Sequence, residues 1–198
     1  MKVAVIRYNA GNIGSVTNSL RRMSVEPVVT ADPEVLSTAD RVIFPGVGEA
    51  SSAMASLQES GLDKLIPDLA QPVLGICLGM QLLCDFSEEQ QTKCLGIIPA
   101  MVRRFESTEL KIPHIGWNTI SGFEDGLFEG IQDLSYVYFV HGYYVELCDS
   151  TSAVCEYGVE FSAALMNGNF FATQFHPEKS GEVGARILGN FLRDGGAV

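Results

Sequence analysis

The sequence predicts an α/β protein built on an open, mostly parallel sheet, flanked by helices on both faces and extended by additional antiparallel strands in its second half. Three apolar runs of strand length, Val3 to Ile6, Val42 to Phe44 and Val73 to Ile76, lack the polar alternation of a half-exposed strand. Such runs mark parallel strands covered on both sides. They alternate with stretches of helical periodicity, the pattern of α/β units.

Val3-Ala4-Val5-Ile6 reads as the first strand, after which Ile13, Val16, Leu20 and Met23 share one face of a helix. Val42 to Phe44 and the helical face of Ala50, Ala53, Met54 and Leu57 repeat the unit, and Val73 to Ile76 opens a third. Tyr136 to Val140 and Phe170 to Phe175 read as further strands, among connections punctuated by Gly122, Gly126 and Gly130. Val183, Ile187, Leu188 and Phe191 line a last helix. No repeat, low-complexity tract or linker divides the chain, so residues 1–198 are expected to form a single domain. With 46% hydrophobic residues it can bury a sizeable core.

Composition narrows the function. Lys and Arg number 13 against 24 Asp and Glu, a net charge of −11 that opposes contact with nucleic acid. Arg7 interrupts the opening apolar run too soon for a signal peptide, and no later run approaches the roughly 18 residues of a membrane span. A soluble, cytoplasmic protein is expected. The five cysteines are odd in number and irregularly spaced, which suits free thiols in a reducing compartment. Without a C-x-x-C pair, and with His114, His141 and His176 far apart, neither a metal site nor a cofactor is expected.

The segments after the apolar runs carry the chemistry. They are Asn9 to Asn12, Pro45 to Gly48, Cys77 and its neighbours, and His176-Pro177-Glu178. In an open α/β sheet they would crowd along one rim, beyond the carboxyl ends of the strands. Gly75-Ile76-Cys77-Leu78-Gly79 has the form of a nucleophile elbow, a sharp turn that lifts its central side chain clear of the sheet. The helix that follows would offer unpaired N–H groups and a positive dipole end to a negatively charged sulfur. The alternative is that Cys77 packs as a small hydrophobe, as Cys84, Cys94, Cys148 and Cys155 are expected to do.

A thiol nucleophile needs a proton carrier, because the leaving group must be protonated. His176 is the candidate. An extended His-Pro-Glu would set Glu178 on the same side of the chain, where its carboxylate can orient the imidazole in the manner of a triad. The plain alternative is a strand cap and a turn. Backbone N–H groups of Leu78, next to the nucleophile, and of Val47, between Gly46 and Gly48, could form an oxyanion hole. That glycine loop could equally be an ordinary strand-to-helix connection, and His114 and His141 ordinary loop and strand-end residues.

Pro45-Gly46-Val47-Gly48, Gly75-Ile76-Cys77-Leu78-Gly79-Met80-Gln81 and Gln174-Phe175-His176-Pro177-Glu178, in this order, resemble the motifs of the class I glutamine amidotransferase family. Gly11 to Val16, Pro113-His114-Ile115-Gly116-Trp117-Asn118, Tyr136 to His141 and Lys179-Ser180 narrow the resemblance to the glutaminase subunits of imidazole glycerol phosphate synthases, over essentially the whole chain. The resemblance implies a flavodoxin-like sheet and a reaction in which Cys77 attacks the side-chain amide of glutamine, His176 relays protons and Glu178 orients it. Gln81, the Gly46 to Gly48 loop and the backbone of His141, Gly142 and Tyr143 would hold the substrate. Asn12, Trp117, Asn118, Tyr136, Tyr138 and Lys179 would face a partner, a (β/α)8-barrel cyclase that consumes the ammonia to make imidazole glycerol phosphate and aminoimidazole carboxamide ribonucleotide. Gly142 stands where relatives often carry Ser, and Arg7 where an acidic residue is common. The rivals are glutaminase subunits serving anthranilate, aminodeoxychorismate or pyridoxal phosphate synthesis, a free-standing thiol amidase, and a non-catalytic flavodoxin-like binding module.

Overall fold

A computed structural model of the chain describes residues 1–9, 12–123 and 126–194. Ala10 and Gly11, part of the expected rim segment after the first strand, lie outside the described residues. The first half runs β1 (Val3–Ile6), α1 (Ile13–Arg22), β2 (Val28–Thr30), α2 (Pro33–Ser37), β3 (Arg41–Gly46), α3 (Ala50–Ser60), α4 (Leu62–Leu65), β4 (Val73–Cys77) and α5 (Leu78–Leu83). The second half is strand-rich: β5 (Cys84–Ser87), β6 (Thr92–Lys93), β7 (Ile98–Arg104), β8 (His114–Ile120), β9 (Ser135–His141), β10 (Tyr143–Val145), β11 (Thr151–Glu156), β12 (Glu160–Asn167) and β13 (Phe170–Thr173), then α6 (Gly181–Asp194).

The large sheet has the order β2-β1-β3-β4-β13-β12-β10-β7-β5-β6, with β11 added on β12. Strands β2, β1, β3, β4 and β13 are parallel. Counted alone they take the order 2-1-3-4-5 of a flavodoxin-like sheet. Beyond β13 the pairing turns mainly antiparallel, as expected for the second half. Strands β8 and β9 form a separate antiparallel pair. Among the described residues no helix is long and apolar enough to cross a membrane.

Successive residues of a strand face opposite sides, so the parallel strands feed two cores. Ala4, Ile6, Val42, Phe44 and Val73 pack under α2 to α5, against Leu36, Leu57, Leu62 and Met80. Val3, Val5, Ile43, Leu74 and Ile76 pack on the other side, against Val16 and Leu20 of α1, Ile187, Leu188 and Phe191 of α6, and Val137 and Phe139 of β9. At roughly 1.5–3 kcal/mol per fully buried large apolar side chain, these two layers anchor the strand ends that carry the rim. Ile13, Met23 and Val183, expected on the buried faces, lie at the edge of the second core and are partly buried.

Two strand ends depart from expectation. β3 continues through Pro45 to Gly46. Val42 N–H donates to Pro72 O on the β4 side, so by alternation Pro45 faces the β1 side, beyond the last β1 partner, Ile43. No ladder donor is lost there, and proline is tolerated. β13 ends at Thr173, short of Phe175. The chain bends at that point, with Thr173 Oγ1 donating to Phe175 O at 3.0 Å and Gln174 N–H donating to Ala163 O of β12 at 2.8 Å.

Candidate active site

Cys77 ends β4 and caps α5 with φ 54° and ψ −107°, a conformation that costs a non-glycine residue about 1–3 kcal/mol. The strain of the elbow sits on Cys77 itself. Its flanking glycines serve close approach: a Cβ on Gly79 would run into the Phe44 carbonyl, and one on Gly75 would stand 2.9 Å from Leu83 Cδ1. Helix α5 can therefore fold straight back over β3 and β4. Cys77 is left on the wall of a cavity of about 300 Å³, shared with Gln81, Glu89 and the Val140 to Tyr143 segment. Two larger hollows, lined in part by Arg104 to Ser107, contain no cysteine or histidine.

The register of β13 on β4 pairs Thr173 with Ile76, which delivers the chain after β13 to the side of Cys77. His176 is extended, with φ −98° and ψ 96°, but Pro177–Lys179 close into a 3-10 turn rather than continuing extended. The fixed φ of Pro177 suits the first position of such a turn. The turn still brings the pair together, with His176 Nδ1 2.8 Å from Glu178 Oε1. Since the carboxylate accepts, Nδ1 carries the proton, and Nε2 is the nitrogen left for the sulfur side. That Nε2 is buried without a hydrogen-bond partner among the described residues. Burial alone would lower the imidazole pKa, but the Cys77 and Glu178 side chains outweigh it and raise it to about 9.

Asn12, expected at a partner interface, donates its Nδ2 to the same Glu178 Oε1 at 2.6 Å. It does so from a left-handed backbone, φ 74°, just ahead of α1. Glu178 is 8% exposed and its carboxylate is thus held from two sides. Nothing in the sequence near Asn12 signals this contact, which spans 166 positions.

The Pro45 to Gly48 loop lies beside the elbow, because Gly46 pairs with Cys77 in the β3–β4 register. Tyr8 Oη donates to Pro45 O at 2.8 Å, and a Cβ on Gly46 would meet that hydroxyl at 2.5 Å. Burial, with a smaller contribution from Cys77, pushes the Tyr8 phenol pKa up, so it remains a donor. Gly48 has φ 119°, a region open to glycine, and gives the Val47–Gly48 segment its turn. Of the expected oxyanion donors, Leu78 lines the cavity, while Val47 directly precedes Gly48, which does.

Gln81 is buried, and its Nε2 donates to Tyr143 O at 3.0 Å and to Gln174 Oε1 at 2.9 Å. Gln174 in turn reaches Cys77, with Nε2 3.7 Å from Sγ. His141 Nδ1 also faces Tyr143 O, at 2.7 Å, and its Nε2 lies 3.0 Å from His114 Nδ1. Burial lowers the pKa of His114 to about 4 and that of His141 to about 3, so both are neutral near pH 7. His141 lines the cavity, and His114 packs against it from outside the lining. Gly142 has room for a side chain, since a Cβ there would come no nearer to another atom than 3.9 Å, at Pro113 Cβ. Glu89, half-buried on the cavity wall, has a carboxylate that accepts from Ala50 N–H at 2.8 Å and a pKa raised by burial. Sequence alone does not single out Glu89, Gln174 or Tyr8, since each matters through a neighbour distant in the chain.

Cys77 is buried like most of the other thiols and differs from them in lining the cavity. Cys84, Cys94 and Cys155 are buried and all five cysteines are unpaired. Burial raises the thiol pKa of Cys84, and raises those of Cys94 and Cys155 to about 12. They behave as packed hydrophobes.

The outer face of the β8–β9 pair is apolar and open. Ile115, Trp117 and Tyr136 are 55%, 55% and 61% exposed, and the register sets Trp117 opposite Tyr138. Their rings meet edge to face at 6.0 Å, and Lys179 Nζ lies 5.8 Å from the Tyr138 ring centre. Asn118 alternates to the other face, where its amide donates to Glu156 O at 2.9 Å.

The family model of class I glutamine amidotransferases matches residues 5–194. The chain is 59% identical over 194 residues to the imidazole glycerol phosphate synthase subunit HisH of Bacteroides fragilis (strain YCH46), covering 97% of this chain and 99% of that one. It is 57% identical to the subunit of the same name in Bacteroides thetaiotaomicron, with the same coverage. A solved glutamine amidotransferase structure superposes with a TM-score of 0.77 at 20% identity, covering 100% of both chains, a likeness of fold.

Proposed function

The chain belongs to the class I glutamine amidotransferase family, and from that premise we propose that it is the ammonia-producing subunit of an imidazole glycerol phosphate synthase. Cys77 Sγ attacks the side-chain carbonyl carbon of glutamine. The carbonyl oxygen takes up the electron pair and is held by the N–H groups of Leu78 and, once its peptide faces the cavity, Val47. His176 receives the thiol proton and returns it to the departing nitrogen, so ammonia leaves and a thioester remains. Water, deprotonated by His176, then cleaves the thioester to give glutamate and restore the thiol. Glu178 keeps Nδ1 protonated and the ring in place.

The single observation that carries this reading is Cys77 on the wall of a cavity of about 300 Å³, coupled to a buried imidazole that Glu178 holds at 2.8 Å and whose pKa the thiol and the carboxylate together raise. Glu89 supplies a carboxylate on that cavity for the substrate's α-ammonium group. Gln81 acts by fixing Tyr143 O and Gln174 as well as by lining the site. The exposed aromatic face of β8–β9, with Lys179, is the docking surface for a cyclase subunit of (β/α)8-barrel fold. Docking encloses the ammonia, which bulk water would protonate and so remove as a nucleophile. Five unpaired thiols support a cytoplasmic location.

Cys77→Ala in the assembled complex tests the assignment. Glutamine-dependent synthesis is expected to vanish while added ammonia still supports the cyclase. Loss of the ammonia-dependent reaction, with the complex intact, would show that the two sites are not separate.

A further inference from the structure

Three hydrogen bonds set the orientation of one buried amide under the nucleophile. Tyr143 O is a backbone carbonyl and can only accept, so the end of Gln81 facing it at 3.0 Å is the NH2 group. That same NH2 lies 2.9 Å from Gln174, whose facing atom is therefore the carbonyl oxygen. The remaining end of Gln174 is then its NH2, and it points at Cys77 Sγ from 3.7 Å. Gln174 has no exposed surface, so bulk water is no alternative partner for its amide, and Gln81 is only 4% exposed, toward the cavity. The sulfur also has Val140 O at 3.8 Å. A thiol donates to that carbonyl, whereas a sulfur carrying negative charge is repelled by it and attracted by the amide N–H.

We infer that Gln174 is a positioning residue for the nucleophile: its side-chain N–H donates to the Cys77 sulfur when that sulfur is charged, and Gln81 keeps it aimed there. The placement follows from the fold. The β13–β4 register runs Thr173 beside Ile76, so the next residue on β13 falls beside the next on β4. The bend after Thr173 then turns the Gln174 side chain into the layer beneath the elbow. The inference rests on Cys77 being the nucleophile and adds a second polar contact to the sulfur, opposite in character to Val140 O.

Two replacements of similar size test it in the full chain. Q174M keeps the volume and removes the N–H. Q174E keeps the shape and the acceptor for Gln81 but turns a carboxylate oxygen toward the sulfur. Alkylation of Cys77 by iodoacetamide near neutral pH, followed on the Cys77 peptide by mass spectrometry, is expected to slow about tenfold or more in Q174M and further in Q174E. Alkylation of Q174M at the wild-type rate overturns the inference, because a packing role survives that substitution. Failure of wild-type Cys77 to react at all, with the protein folded, counts instead against Cys77 as the nucleophile. Should both variants unfold, the nitrogen-15 spectrum of native Gln174 decides: its side-chain amide signals are expected to shift between wild type and Cys77→Ala. Unchanged signals overturn the inference.

Discussion

Gly79→Ala isolates the steric basis of the elbow. The added Cβ would stand roughly 1 Å inside the nearest approach that real Cβ atoms make, and what it meets is the Phe44 carbonyl oxygen rather than a movable side chain. Both partners are backbone, in α5 and β3, so one element must shift by about that amount. Overpacking of this kind costs about 1–3 kcal/mol. A 1 Å displacement of groups that act on a substrate can cost on the order of 100-fold in rate. Urea unfolding followed by circular dichroism is expected to show a lower midpoint, and glutamine hydrolysis in the cyclase complex is expected to fall by about two orders of magnitude. Gly14→Ala provides the contrast: nothing lies within 4 Å of a Cβ there, it sits inside α1, and the substitution should stabilise by about 0.5–1 kcal/mol. Wild-type stability and activity in Gly79→Ala would refute the view that α5 is pressed against β3 without room for a methyl group.

Stability should peak near pH 6.5, the ordinary pKa of histidine. His176 has a folded pKa raised to about 9, so its contribution is complete below the ordinary value and is lost as pH rises toward 9, on the order of 3 kcal/mol. His114 and His141 have folded values lowered to about 4 and 3, so their contribution is complete above the ordinary value and is lost as pH falls. Denaturation midpoints across pH check both limbs, and His176→Gln should flatten the alkaline one and His114→Asn the acid one. Asn12→Gly keeps the left-handed backbone and removes the donor to Glu178, and is expected to lower turnover about tenfold with little change in cyclase affinity. Steady-state kinetics beside a binding titration separates these effects. Trp117→Ala should leave circular dichroism unchanged, since the ring is 55% exposed, and weaken cyclase binding about 30-fold if it is an anchor of the docking face.

The parallel half of the fold is legible because each strand is a short unbroken apolar run and each helix a single apolar stripe. β1, β3 and β4 fall where those runs stand. The mixed half is harder. β7 carries Arg103, whose side chain pairs with both Glu88 and Glu146, and Arg104, whose backbone N–H donates to Glu88, and β12 hides Ser162 and three small or mid-sized residues in a fully buried stretch. Their strand character comes from partners rather than from their own periodicity. The proposed triad is visible because its members lie in two local motifs. What surrounds it is not: the bond from Asn12 to Glu178 and the amide relay through Gln81 and Gln174 join residues 93 to 166 positions apart. Those contacts depend on strand register, and register is a property of the folded sheet.

The imidazole proposed as proton carrier and the strand pair proposed as docking face are joined directly by hydrogen bonds. His176 N–H donates to Tyr138 O at 2.9 Å, Tyr138 N–H donates to Ser180 Oγ at 2.9 Å, and that hydroxyl donates to His176 O at 2.7 Å. A small closed ring of bonds thus ties the His-Pro-Glu turn to β9, whose other face carries the aromatic side chains. Gly184 lets the first turns of α6 lie against Pro177 O, where a Cβ would collide. Cys77 belongs to the large sheet, and among the described residues its hydrogen bond to β9 is the long one to Val140 O. A load placed on Trp117 and Tyr138 is therefore delivered to the imidazole before it reaches the thiol. A partner seated on β8 and β9 is thereby placed to adjust the imidazole relative to the thiol whose charge it shares.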